Sequence, residues 1–155
     1  MKNANIIGLQ EKDCNAIAEK LNQLLANYSV FYQNTRGAHW NIKGNDFFTL
    51  HPKFEELYNN LVLKIDEIAE RILTLGAVPN HNYSDYLKLS TLKESREVSD
   101  GNKCVENILA SFKIVIDLQR DLLDITEKAG DEGTNSQMST TSPNRKKKFG
   151  CTIRT

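Results

Sequence analysis

The chain has 155 residues, the length of one domain and enough to bury a substantial core. Twenty acidic residues balance twenty basic ones, but unevenly: every acid precedes Gln137, and five basic residues follow it, so the body carries −5 and the last 18 residues carry +5. A net-negative body argues against phosphate binding as the main business and suits the handling of cations. No run of about 18 apolar residues exists to cross a membrane, and "MKNANIIGLQEKD" lacks the apolar stretch of a secretion signal; the expected location is the cytoplasm. Cys14, Cys104 and Cys151 are odd in number and form no C-x-x-C. Two of them fall at apolar helix positions and read as buried reduced thiols.

The first predicted helix runs from about Lys12 to Trp40, with Cys14, Ile17, Leu21, Leu24, Tyr28 and Phe31 at spacings of three and four. It should stop at "NIKG", with Gly44 in the left-handed cap position. The second spans about Asp46 to Leu75 and carries an apolar stripe of Phe54, Leu57, Tyr58, Leu61, Val62, Ile65, Ile68, Ala69 and Ile72. Gly76 ends it. Pro52 allows two readings, a start near His51 or an earlier start with the proline inside. A polar connector follows, with a short helix around Tyr83 to Leu89. The third long helix covers about Asn102 to Lys128, with Val105, Ile108, Leu109, Phe112, Ile116 and Leu122 expected inside and Gly130 as its cap. The pattern is all-α, a helical bundle in a single domain over 1–155. Its fourth helix opens at "DEGTNSQM" and gives out after about Met138.

"HPKFE" places His51 and Glu55 one turn apart, and "DEIAER" does the same for Asp66 and Glu70. At about 100° per residue the four share an arc of roughly 100° at the edge of the apolar stripe. Taken singly, such residues most often form a solvated flank. Glu55 and Asp66 are eleven residues apart, about 16 Å at 1.5 Å per residue. Metal–ligand bonds are about 2.0–2.2 Å, so no single ion bridges that gap. An antiparallel copy of the helix across a twofold axis would bring the His51/Glu55 end of one chain to the Asp66/Glu70 end of the other. Imidazole and carboxylate together suit iron, manganese or zinc.

Residues 37–76, "GAHWNIKGNDFFTLHPKFEELYNNLVLKIDEIAERILTLG", closely resemble the Dps family, the miniferritins that protect DNA during starvation. The likeness rests on H-W-N, x-F-x-x-L-H-x-x-F-E and D-E-x-A-E-R in register; a weaker helical likeness runs from about residue 10 to Met138. The resemblance implies a ferritin-like four-helix subunit in a hollow shell of twelve chains. It implies ferroxidase centres between subunits, holding two iron ions at most, with other divalent metals able to enter. Carried over by position, one chain supplies His39, His51 and Glu55, and its partner supplies Asp66 and Glu70. Position 55 is Glu where many members have Asp. Trp40 matches a tryptophan thought to donate electrons, and it equally suits interface packing. His81 matches no ligand position and reads as a surface histidine. The implied activity is oxidation of Fe(II), typically by hydrogen peroxide, with storage of ferric mineral and protection of the cell from oxidative damage. A structural DNA-compacting protein with secondary iron chemistry is the alternative, which would make the chain nucleoid-associated. Against it, the first 13 residues hold only Lys2 and Lys12 as basic groups. A helical interaction module with a vestigial site is a third reading.

Residues 1–10 read as an N-terminal extension and 139–155 as an atypical basic tail. "NRKKKFGCTIRT" could touch phosphates, but the family's fourth helix continues with a pattern like M-S-D-Y-x-x-E-Q-E-K-x-V-W-M. Freely chosen codons for Ser139 to Thr155, with one base inserted after Ser139, can be read as S-D-Y-I-T-E-Q-E-K-E-V-W-M-Y-N-T-Y. The tail therefore reads as a one-base frameshift rather than a divergent end. An intact mass matching the printed sequence in a well-assembled protein would exclude that reading.

Overall fold

The structure is a computed structural model, described here for residues 7–141. It has five helices: α1 (Glu11–Asn41), α2 (Phe47–Thr74), α3 (Tyr83–Leu89), α4 (Gly101–Ala129) and α5 (Glu132–Thr141). The four-helix bundle is made by α1, α2, α4 and α5, with α3 in the connector, so the all-α reading holds. All six residues of the predicted α1 stripe are buried, and they meet Leu57, Leu61, Ile68, Ile72, Val115, Leu122 and Met138 in one core. A smaller cluster, Ala38, Ile42, Phe54 and Cys104, lies at the end of the bundle where α1 turns into α2. Cys14 and Cys104 are buried, as their apolar helix positions require. Cys151 and the tail beyond Thr141 lie outside the described residues, and so does the frameshift reading.

Two expectations change, and one open reading is resolved. Gly44 does take a left-handed conformation, φ +85°, but it does not cap α1. The helix closes at Ile42 in extended backbone, and Gly44 shapes the turn into α2, its carbonyl accepting from the Phe47 amide at 3.2 Å. Of the two readings of Pro52, the earlier start is found, with α2 beginning at Phe47 and the proline inside. A proline has no N–H for the carbonyl four residues back. Leu109, expected inside, is 46 % exposed, and Val105, Ile108, Phe112 and Ile116 are only half-buried. The reason lies in where α5 sits. Asn135 donates to the Leu123 carbonyl and Gln137 to that of Glu67, so α5 covers the C-terminal half of α4 and leaves the first half of its stripe more open.

Helix ends follow local chemistry. The Gly76 amide donates to Leu73 and the Ala77 amide to Ile72, the paired bonds of a left-handed glycine stop. Gly130 repeats the arrangement with Glu127 and Thr126. Asp100 caps α4 by accepting from the Lys103 amide at 2.9 Å. Arg71 joins α2 to α5, its guanidinium 2.6 Å from the buried Asp131 and 2.8 Å from the Thr134 hydroxyl. Three asparagines of α1 hold the connector. Asn22 accepts from the Asn80 amide, Asn27 from the amides of Thr91 and Leu92, and Asn34 from that of Ser95. Asn22 and Asn34 also donate to the carbonyls of Val78 and Lys93.

Candidate metal centre

His39 stands in the last turn of α1 and His51 in the second turn of α2. The short turn of residues 42–46 folds one helix back on the other and brings the two rings together. They stack with centroids 3.8 Å apart and planes 22° apart. The Nδ1 of each ring lies 2.8 Å from the other residue's backbone carbonyl oxygen. A carbonyl can only accept, so both Nδ1 atoms carry a proton, and Nε2 is the ring nitrogen left to bind a metal. A second hydrogen bond of this kind is how a metal-binding imidazole is held in tautomer and orientation. Phe47 stacks on His51 at 4.7 Å, and Tyr58 meets His39 edge-on at 5.3 Å. His39 is 8 % exposed and His51 half-buried. Two imidazoles sit in a largely apolar seat.

The carboxylates differ. Glu55, one turn beyond His51, is exposed, and so are Asp66 and Glu70. Among the described residues no hydrogen bond or ion pair engages their side chains. Among those residues, too, no three His, Cys, Asp or Glu side chains gather closely enough to hold a metal ion. The fold therefore brings His39 and His51 together and leaves Asp66 and Glu70 further along α2, on the same chain but apart. Elsewhere on the helix, burial lowers the pKa of Lys64, an effect that Glu67 partly offsets. In the core, burial raises the phenol of Tyr28, the bond from Gln119 opposes the rise, and the Glu67 charge adds to it.

Trp40 is 56 % exposed, and its ring lies under the Arg36 guanidinium at 4.5 Å. His81 is exposed, as expected of a surface histidine. The sequence reading missed the roles of Phe47, Tyr58 and Arg36 around the pair. The sequence places Tyr58 on the apolar stripe of α2. Its place one turn beyond Glu55 and two beyond His51 was the available signal, whereas nothing in the sequence marks the carbonyls that lock the rings.

Residues 18–141 match the family model of the ferritin-like domain, so the bundle is a ferritin-like one. The chain is 39 % identical over 129 residues to the DNA protection during starvation protein of Porphyromonas gingivalis, covering 83 % of this chain and 81 % of that one. An uncharacterized protein of Haemophilus influenzae is 55 % identical over 133 residues, 86 % of this chain and 83 % of its own. Among solved structures, the Dps protein of Vibrio cholerae O1 superposes with a TM-score of 0.87 at 51 % identity, over 90 % of this chain and 89 % of that one. This protein belongs to the Dps family of ferritin-like proteins.

Proposed function

We propose that the chain is the subunit of a hollow twelve-chain shell that oxidises Fe(II) between subunits, with hydrogen peroxide as oxidant, and stores the ferric product as mineral. The observation that carries this reading is the reciprocally locked pair His39/His51. It presents two Nε2 atoms to a site that lacks enough carboxylates on its own chain. A second copy packed antiparallel along α2 supplies them. One chain then brings His39, His51 and Glu55, and the other brings Asp66 and Glu70, which completes two sites per pair of chains. The unengaged state of those acids and the distance of about 16 Å along the helix both support a shared site.

Anionic carboxylate oxygens are hard donors that favour ferric over ferrous iron, so bound Fe(II) becomes easier to oxidise. Two Fe(II), one hydrogen peroxide and two protons give two Fe(III) and two waters, and no hydroxyl radical is released. At most two iron ions occupy each centre, and other divalent metals can compete for it. Trp40 supplies an outlying oxidisable ring. Storage and peroxide removal are one reaction, which protects the cell from oxidative damage, and its place is the cytoplasm. The P. gingivalis relative is named for DNA protection, yet Lys2 and Lys12 alone give the N-terminal segment here little hold on phosphate. Oxidising and storing iron removes the chemical threat to DNA without contact. The test is stoichiometry. Close to two Fe(II) oxidised per peroxide added, faster than in buffer, establishes the reaction; a rate no faster than buffer removes it.

A further inference from the structure

Arg36 is placed unusually for an arginine. Its guanidinium carbon lies 4.5 Å from the Trp40 ring centroid, 5.3 Å from Tyr32 and 6.0 Å from Tyr58. Among the described residues its side chain makes no ion pair and no hydrogen bond. Three oxidisable rings thus surround one unneutralised cation, one turn from His39. The ring contacts are not symmetrical. Tyr58 touches His39 edge-on at 5.3 Å, and Tyr32 touches Tyr58 edge-on at 6.1 Å. Aromatic contact therefore runs from His39 through Tyr58 to Tyr32, whereas Trp40 meets Arg36.

The cation affects the rings differently. An indole that gives up an electron carries positive charge until its Nε1 proton leaves. A guanidinium over its face stabilises the neutral ring and opposes that charge. A phenol loses its proton together with the electron and ends neutral, so the same cation hinders it less. We infer that Tyr58, with Tyr32 behind it, is the first electron donor to the iron site, and that Arg36 directs oxidation onto these tyrosines and away from Trp40. The inference rests on the proposed ferroxidase reading. It matters when a site holds a single Fe(II). Cleavage of the O–O bond of peroxide then takes one electron from Fe(II) and one from Tyr58. The phenolic proton and one solvent proton complete two waters, leaving Fe(III) and a neutral tyrosyl radical. Fe(II), hydrogen peroxide, tyrosine and one proton thus become Fe(III), tyrosyl and two waters, and no hydroxyl radical escapes.

The test uses the assembled protein loaded with one Fe(II) per site, given hydrogen peroxide, frozen, and read by electron paramagnetic resonance. Radical yield is normalised to the ferric iron formed. The expected wild-type signal is a tyrosyl radical that narrows when the protein carries ring-deuterated tyrosine. Tyr58→Phe keeps the ring against His39 and should lose that signal, while Tyr32→Phe should keep a radical on Tyr58. Arg36→Gln should increase oxidised Trp40, measured by peptide mass spectrometry, and Arg36→Lys should restore the wild-type distribution. A tyrosyl signal that persists in Tyr58→Phe overturns the inference, and so does equal Trp40 oxidation in wild type and Arg36→Gln. Accelerated iron oxidation in wild type with no tyrosyl signal also overturns it, and leaves the ferroxidase reading standing. If wild-type protein oxidises Fe(II) no faster than buffer, that reading falls and takes the inference with it.

Discussion

The two ends of the ligand stretch on α2 are built in opposite ways. At His51 the side chain is half-buried, stacked on both faces and bonded to the backbone of α1. A small core of its own lies at that end. At Asp66 and Glu70 the side chains stand in solvent with no partner among the described residues, although Ile68 and Ile72 on the other face are fully buried. The imidazole at one end is fixed by its own chain, while the acids, Glu55 included, are left open. Imidazoles need this treatment because an unfixed ring can present the wrong nitrogen. A carboxylate accepts through either oxygen and loses little by waiting. On the proposed reading, the imidazoles are set by folding, and the acids wait for a second chain to close on them.

The sharpest way to break this comparison is to damage the ends separately. His51→Ala and Asp66→Ala should each abolish accelerated Fe(II) oxidation. Co-assembly of the two variants should recover part of it, because one site of a mixed pair draws both intact halves. Intact shells that recover no oxidation on mixing would show that the ends do not belong to one site.

A smaller effect should appear in stability. His39→Ala removes a buried stacked ring and its hydrogen bond to the His51 carbonyl, at a cost of about 1–3 kcal/mol. Asp66→Asn, on an exposed and unengaged side chain, should change stability by no more than about 0.5 kcal/mol. Urea midpoints at matched protein concentration measure both, and equal losses would erase the contrast.

Trp40→Phe should be milder still. Its ring is more than half exposed and phenylalanine keeps an apolar face, so assembly and iron uptake should survive. Spin trapping under peroxide should then detect a modest rise in escaped radicals, and an unchanged yield would leave Trp40 as packing alone.

The smallest effect concerns Cys104, in the core cluster at the His51 end. Burial raises its thiol pKa, and the charges of Asp100 and Glu97 raise it further. A raised thiol pKa favours the folded protein below the ordinary thiol value of about 8.5, and the benefit is lost as pH rises through the folded value. Alkylation of Cys104 should therefore lag behind that of an unfolded control at pH 8 and catch up only at higher pH. Immediate labelling at pH 8 would mean that the His51 end is looser than its packing implies.

Helices were legible because the three-and-four spacing of Ile17, Leu21, Leu24 and Phe31 is itself the record of one face being buried. The separation of His51/Glu55 from Asp66/Glu70 was legible for a similar reason, since helical rise is fixed. What the sequence could not display is contact made through atoms that every residue shares. The carbonyls of His39 and His51 lock the opposite rings, and no side-chain pattern announces a carbonyl. Leu109 looked like a core residue because its own helix is amphipathic there, but burial also depends on where α5 lies. Nothing in the sequence singles out Arg36, and only the packing of three rings from two helices gives it a setting.

The asparagines of α1 have a consequence for where structural information is stored. A primary amide offers a donor nitrogen and an acceptor oxygen, as a peptide group does. Asn34 uses both on the backbone of Lys93 and Ser95, and Asn22 does so on Val78 and Asn80. The connector is thus guided chiefly through its main chain, which is the same whatever side chains it carries. Its route is written in α1. Rewriting exposed connector positions such as Lys93, Glu94 or Arg96 should leave the route intact. Converting Asn34 to leucine, which has neither donor nor acceptor, should release a segment to which it is not adjacent in sequence.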